Sequence, residues 1–261
     1  MQISPLHSDP RVAALRGLIA DAAKITAFTG AGISTECGVP DFRSPGSPWT
    51  VNKPIDYQIF LASPAMRAEA WRRKFTMDDL YAHAVPGRGH KALAALARAG
   101  RLTAIITQNI DGLHQAACSA TDVIELHGNG TYAACLACGE RHELKAVRAE
   151  FEASGAAPHC DCGGIIKSAT ISFGQTMPAA ALARAREAAL GADLMLALGS
   201  SLVVHPAAQL PALAKANGAR LVIINHSPTP LDAMADLMIR ADIGDVLAAS
   251  LGSSLCAGRA D

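Results

Sequence analysis

Aromatic side chains are scarce in this 261-residue chain: two Trp, three Tyr and six Phe make up 4% of it. Channels for single-stranded nucleic acid need aromatic stacking platforms and phosphate-binding cations, and this composition argues against them. Charge of either sign is also not in excess. Lys and Arg total 23, as do Asp and Glu, so no net field draws nucleic acid or anionic lipid, although a local basic patch remains compatible with that balance. No apolar stretch reaches membrane-spanning length without a Gly, Pro or charge. Met1 to Pro10 carries no basic segment followed by an apolar run, so no secretory signal is expected. Seven cysteines in that setting argue for reduced thiols or a metal site over disulfides. The expectation is a cytoplasmic protein with no nucleic-acid partner and no membrane association.

What the chain has is apolar bulk. Half of its residues are hydrophobic and 18% are charged, enough for a sizeable core. Short, near-continuous apolar runs at Ile25–Thr29, Leu102–Thr107, Val123–Leu126, Leu194–Leu198 and Leu221–Ile224 read as strands buried on both faces. Ala/Leu-rich stretches with helical spacing lie between them, at Pro10–Ala23, His90–Ala99, Pro178–Leu190 and Pro206–Ala216. The alternation predicts an α/β fold, a Rossmann-like doubly wound parallel sheet with an inserted small zinc-ribbon module. Residues 1–33, 90–127 and 169–261 form the Rossmann-like domain in this reading, and 128–168 the zinc-binding module. Residues 34–89, long and Pro-rich with one helical stretch at about Ala62–Phe75, are read as a cofactor-binding loop and the helical part of the small domain, since a loop of that length is usually functional.

Three patterns carry chemistry. The first strand runs into Gly30-Ala31-Gly32-Ile33-Ser34, a turn that lets backbone approach a pyrophosphate or that serves simply as a tight strand-to-helix connection. The dinucleotide fingerprint is incomplete, since Thr35 stands where its third glycine is needed. Cys135-x2-Cys138 and Cys160-x-Cys162 have close to the spacing of a structural four-cysteine zinc site, with His159 as a possible substitute ligand and unligated core cysteines as the alternative. Cys37, Cys118 and Cys256 read as ordinary thiols. Polar residues follow each strand: Gln108-Asn109-Ile110-Asp111-Gly112-Leu113-His114, His127-Gly128, Gly199-Ser200-Ser201 and Asn225-His226. In α/β sheets this edge is where ligands bind. A lone histidine is usually structural, but His127 at a strand end beside other polar strand ends is expected to be functional; His114 is expected to be structural or supporting.

Taken together these segments resemble the sirtuin family of NAD-dependent protein-lysine deacylases, in its bacterial type. The resemblance rests on GAGIS at Gly30–Ser34, GVPDFR at Gly38–Arg43, TQNIDGLH at Thr107–His114, His127-Gly128, the cysteine pairs, ISFGQ at Ile171–Gln175, GSSL at Gly199–Leu202, and Ile224-Asn225. They occur in family order over about residues 25–245. The resemblance implies NAD bound by Gly30, Ala31, Gly32, Ile33, Asp41, Phe42, Arg43, Gln108, Asn109, Ile110, Asp111, His127, Gly199, Ser200, Ser201, Asn225, His226 and Ile243. It implies His127 and Asn109 as the catalytic residues, His127 as general base toward a ribose hydroxyl and Asn109 with Asp111 holding the nicotinamide ribose and carboxamide. An acyl-lysine peptide would add as a strand between Ile171, Phe173, Gly174 and Val203. Structural Zn2+ would sit on Cys135, Cys138, Cys160 and Cys162. Nicotinamide and O-acyl-ADP-ribose would be the products.

Some positions depart from the family. Ser168 replaces the usual Pro after the basic residue beyond the last cysteines, and Pro86-Gly87-Arg88-Gly89-His90 replaces a common Pro-Asn start. Members that prefer succinyl or malonyl groups carry a Tyr/Arg pair downstream of a Trp; the corresponding positions after Trp71 are Lys74 and Met77. The Trp-x-Arg arrangement with ISFGQ looks more like the lipoamidase-type subgroup, leaving acetyl and longer acyl chains as the expected substrates. NAD hydrolysis or mono-ADP-ribosylation at the same site is the alternative activity. A dehydrogenase is disfavoured by the incomplete fingerprint.

Overall fold

The computed structural model describes residues 8–118 and 121–256, with side chains described up to residue 251. Most of the amino-terminal segment read for a secretory signal, and the Cys256 side chain, lie outside that set. Among the described residues no helix is long and apolar enough to cross a membrane.

Helix α1 (Pro10–Asp21) starts where the chemistry of a helix start is best met: Asp9 accepts the Arg11 amide and Pro10 takes the first turn. Strand β1 (Ile25–Thr29) follows, then two short 3-10 turns at Ala31–Ile33 and Thr35–Cys37. The Pro-rich region holds helices α2 (Tyr57–Ala62) and α3 (Pro64–Leu80), split at Ser63 because Pro64 cannot continue a helix and Ser63 caps the next one. Helix α4 (Arg88–Arg98), β2 (Leu102–Thr107), α5 (Leu113–Ala117) and β3 (Val123–Glu125) complete the first half.

Strands β4 (Gly128–Cys135), β5 (Arg141–Glu143) and β6 (Ile166–Thr170), with helix α6 (Leu144–Ser154), form a small unit. The chain then returns through α7 (Ala179–Leu190), β7 (Leu194–Leu198), α8 (Gln209–Ala216), β8 (Arg220–Ile224), β9 (Leu237–Ile239) and α9 (Ile243–Cys256).

Six strands make one parallel sheet in the order β3-β2-β1-β7-β8-β9, and β5-β4-β6 make a separate antiparallel sheet. The main sheet is covered on both faces. Ile25 and Ala27 belong to a core shared with Val12, Leu15, Leu93 and Val246 from α1, α4 and α9. Phe28 points into the opposite core with Ala185, Ala189 and Leu210 from α7 and α8. This two-residue alternation between two apolar layers is why β1 reads as an unbroken apolar run. The fold is thus the doubly wound α/β architecture expected, carrying a small cysteine-bearing sheet. A third core packs α3 onto the small unit: Trp71 stacks on Phe75 at 5.4 Å, and both pack with Ala133, Val147 and Ile166.

Strand β9, helices α2 and α9 and the three small-sheet strands lie outside the elements that the sequence pattern predicts. Gly128 marks the passage between the two sheets. Its φ is +70°, and a β-carbon there would collide with the Ala169 carbonyl oxygen, a backbone atom. Gly38 also has positive φ, +83°, but open space around it. Gly128→Ala is therefore expected to cost about 3 kcal/mol and Gly38→Ala about 1 kcal/mol, measured by urea denaturation; equal costs would contradict the packing described.

Candidate active site

Strand order reverses between β1 and β7, since β1 leads to β2 on one side and is joined by β7 on the other. The turns after these two strands meet. Gly30 donates its amide to the Leu198 carbonyl at 3.0 Å, and Gly32 donates to the Gly199 carbonyl at 2.9 Å. A β-carbon on Gly30 would lie 2.8 Å from the Gly199 oxygen, and one on Gly32 would lie 2.7 Å from the Gly199 Cα. The glycines of GAGIS are thus required by the contact between the two turns, whatever ligand lies above them.

Ser34, at the end of that turn, is fully buried and ties the site together. Its hydroxyl donates to Asp111 Oδ2 at 2.7 Å and accepts from Asn109 Nδ2 at 3.1 Å. Asn109 Nδ2 also donates to the Gly30 carbonyl, and Asp111 Oδ1 accepts the Leu113 amide at the start of α5. Gln108 Nε2 donates to Ser200 Oγ at 2.8 Å, and that oxygen also accepts the Leu202 amide. Gly30–Ser34, Gln108, Asn109, Asp111 and Ser200 therefore form one hydrogen-bonded edge.

His127 follows β3 and is half-buried. Its Nδ1 lies 3.1 Å from the Gln108 carbonyl oxygen. A carbonyl can only accept, so Nδ1 carries the proton and Nε2 keeps its lone pair. Burial pushes the imidazole pKa below its usual value, against the opposing pull of the Gln108 carbonyl. The result is a neutral imidazole with one free basic nitrogen, held by backbone. The carbonyl of His127 accepts the Ile171 amide at 2.7 Å, which places the ISFGQ segment directly alongside.

The remaining expected residues are distributed as follows. Ile110 accepts the Gly130 amide through its carbonyl at 2.7 Å. Asp41 binds the Arg43 and Ser44 amides, both at 2.7 Å, so its carboxylate shapes its own loop. Phe42 stacks on Trp49 at 4.5 Å and stays partly exposed, as does Arg43. Phe173 is 61% and Val203 46% exposed, while Gly174 holds φ +78° with the Asp56 carboxylate close by. Between the exposed Val203 and Ser200, Leu202 adopts φ +54°, a left-handed backbone unusual for a branched side chain. Asn225 Nδ2 turns back to the Ser227 carbonyl, exposed His226 pairs with Asp242, and Ile243 is buried against Gly89.

Residues outside the expected set also contribute. His90 Nδ1 accepts the Gly87 amide, which leaves Nε2–H facing Ser34 Oγ at 3.4 Å. Glu36 receives the Gly89 amide at 2.8 Å and Arg88 Nε at 3.0 Å, fastening the loop after β1 to the start of α4. Ser34 is visible in the glycine turn; His90 and Glu36 have no local signal, because their partners come from packing.

The four cysteines converge. Cys135 and Cys162 sulfurs are 3.5 Å apart, Cys138 and Cys160 sulfurs 3.7 Å, and all four fall within 4.8 Å. A tetrahedral zinc with Zn–S bonds of about 2.3 Å requires S···S separations of about 3.8 Å, so the donor set fits that ion. His159 is exposed and is not needed as a ligand. Cys37 and Cys118 are not in disulfides, and burial raises the Cys37 pKa.

His114 supports the site from below. Its ring donates to Thr29 Oγ1 at 2.9 Å, which itself donates to Thr107, and its Nδ1 is buried without a partner. Burial, with the neighbouring His90, brings its pKa down to about 3. In the unfolded chain histidine titrates near about 6.5, so the unfolded state takes up the proton first. Stability therefore falls as pH drops below about 6.5 and keeps falling toward about 3. The melting temperature is expected to be lower at pH 5 than at pH 7, with a smaller drop in His114→Gln; an equal drop would assign the effect elsewhere.

A family model described as the Sir2 family matches residues 30–206. An NAD-dependent protein deacetylase of Rhodopseudomonas palustris is 56% identical over 241 residues, covering 92% of this chain and 95% of that one. A solved Sir2 with p53 peptide and NAD+ superposes with a TM-score of 0.80 at 36% identity, covering 90% of this chain and 94% of the other. A second Sir2 structure, with deacetylated p53 peptide and 3'-O-acetyl ADP ribose, gives 0.84 at 34% identity, covering 94% and 98%.

Proposed function

The chain belongs to the Sir2 family, and from that premise we propose that it is an NAD-dependent protein-lysine deacylase in which His127 is the general base. The observation that carries the assignment of the base is the Nδ1–H bond to the Gln108 carbonyl, which leaves Nε2 free at the carboxyl-end edge of the parallel sheet. Bound NAD would supply an electrophilic ribose carbon as nicotinamide departs; the acyl oxygen of the modified lysine attacks it, a ribose hydroxyl takes the acyl group, and with one water consumed the products are the free lysine, nicotinamide and O-acyl-ADP-ribose.

The residues divide the work. The turn Gly30–Ile33 and the Gly199–Ser201 turn form the floor for the phosphates, with Asp41, Phe42 and Arg43 on the loop above. Asn109 and Asp111, fixed by Ser34, hold the nicotinamide ribose and carboxamide. Gln108 and Ile110 line the same edge, and Asn225, His226 and Ile243 bound its far end. His127 Nε2 accepts the ribose hydroxyl proton. The peptide enters as a strand between Ile171–Gly174 and Val203, where exposed Phe173 and Val203 offer apolar contact. Cys135, Cys138, Cys160 and Cys162 would hold a structural zinc with no open position for water. The reduced thiols and that zinc support a cytoplasmic location.

The acyl group is a short or apolar one. Trp71 is buried in the core of the small unit, and Lys74 is paired with Asp78 at 2.5 Å, so Lys74 is not a free cation for an acidic acyl chain. Acetyl-, longer-acyl- and succinyl-lysine peptides compared by mass spectrometry are expected to leave succinyl as the slowest; fast desuccinylation would overturn this.

Two measurements test the mechanism. Nicotinamide release is expected to require an acyl-lysine peptide and to fall by about 10²–10⁴-fold in His127→Ala. Peptide-independent turnover of labelled NAD would instead favour NAD hydrolysis or mono-ADP-ribosylation. Because the lowered pKa keeps His127 neutral further into acid, the acidic limb of kcat/KM should have its midpoint below about 6.5. A midpoint at or above neutrality would remove His127 as the base.

A further inference from the structure

Beside the four-cysteine cluster stands a second set of ligand-type groups that shares one of its sulfurs. Glu140, His142 and Cys160 bring a carboxylate oxygen, an imidazole nitrogen and a sulfur within 4.8 Å of one another. Cys160 donates to Glu140 Oε2 at 3.2 Å. His142 sits on β5 opposite Ala133, and its Nε2 is buried with no hydrogen-bond partner. A buried imidazole nitrogen left without a partner needs an explanation.

The charges sharpen the point. Four thiolates around a divalent ion carry a net charge of −2, and the Glu140 carboxylate stands against one of them. The neighbouring cation does not compensate it, since Arg141 is turned to Glu143 at 3.2 Å and lies over the Tyr132 ring at 4.2 Å. Zinc binding takes the proton from a coordinating thiol, so the Cys160–Glu140 hydrogen bond has no counterpart once the four-cysteine site is filled. A carboxylate and a thiolate are then left facing each other next to an orphan imidazole.

We propose that Glu140, His142 and the Cys160 sulfur form a second metal site, with Cys160 bridging between its ion and the zinc of the four-cysteine site. The mixed S, N and O donors suit a borderline divalent ion of the zinc type. With three protein ligands the site keeps a fourth position for water, so its ion is exchangeable where the four-thiolate one is closed. The placement makes it a loading and exchange position for the structural zinc. The proposal rests on zinc at the four cysteines, and the test separates the two.

The full-length protein is dialysed against micromolar zinc, freed of excess, and its metal content per chain measured by plasma mass spectrometry. Two zinc ions per chain are expected, falling to one in both Glu140→Gln and His142→Gln. Cobalt(II) added to protein holding one zinc is expected to show thiolate-to-metal charge-transfer absorption, absent in His142→Gln. One zinc in the unaltered protein would overturn the second site alone, and none would overturn the four-cysteine zinc as well. A second ion that persists in both variants, or cobalt binding without the charge-transfer band, would also overturn it.

Discussion

Everything at the strand edge depends on the contact between the turns that follow β1 and β7. Their backbones interlock at Gly30, Gly32 and Gly199, with no room for a β-carbon at any of the three. From one side this contact delivers Ser34, which binds both Asn109 and Asp111. From the other it delivers Ser200, which binds Gln108. The segment after β2 is thus gripped from two directions, and its Gln108 carbonyl in turn fixes the His127 ring. A chain of hydrogen bonds runs across the sheet from β7 to β3. Preorganisation of this kind is what lets a neutral imidazole act without first reorganising its surroundings.

The parallel strands were legible because burial on both faces leaves an apolar run with no alternation to confuse it. The strand read at Leu194–Leu198 is fully buried along its length. Strand β9 is three residues at the sheet edge, with only one of them buried, and carries too little signal. Strand β4 begins Gly-Asn-Gly-Thr and is held by a bulged register to β6, so its sequence reads as loop. In the site, residues on strand ends were visible from their order in the chain. His90 and Glu36 were not, since each acts through partners more than fifty positions away. His159 looked like a ligand by adjacency alone; the two knuckles fold so that Cys162 meets Cys135 instead.

The glycine turn carries a related lesson. Its three-residue pattern falls short of the dinucleotide fingerprint because its glycines answer to a different neighbour. In that fingerprint the third glycine serves helix–strand packing; here Thr35 donates its hydroxyl to the Gly32 carbonyl and continues into a second tight turn. The chain is thereby directed outward into the long loop region and not into a full helix, which opens the space above the strand ends.

The small sheet links the four-cysteine cluster to the proposed site. Strand β4 starts at Gly128, immediately after the proposed base His127, and ends at Cys135 in the first cysteine knuckle. Eight residues of strand span about 25 Å, too far for any electronic influence on the ribose. The link is mechanical. At the metal end Cys135 pairs with Ile166, and at the other Gly128 pairs with Thr170, next to the Ile171 amide that binds the His127 carbonyl. With the knuckles clamped, β6 is fixed in register along β4, and the segment proposed to bind the peptide, which continues from it, is fixed against His127. Without the clamp, the bulged pairing between these ends is free to slip. In the proposed mechanism the cysteines would act on the reaction by setting where the acyl-lysine lies relative to a base they never touch.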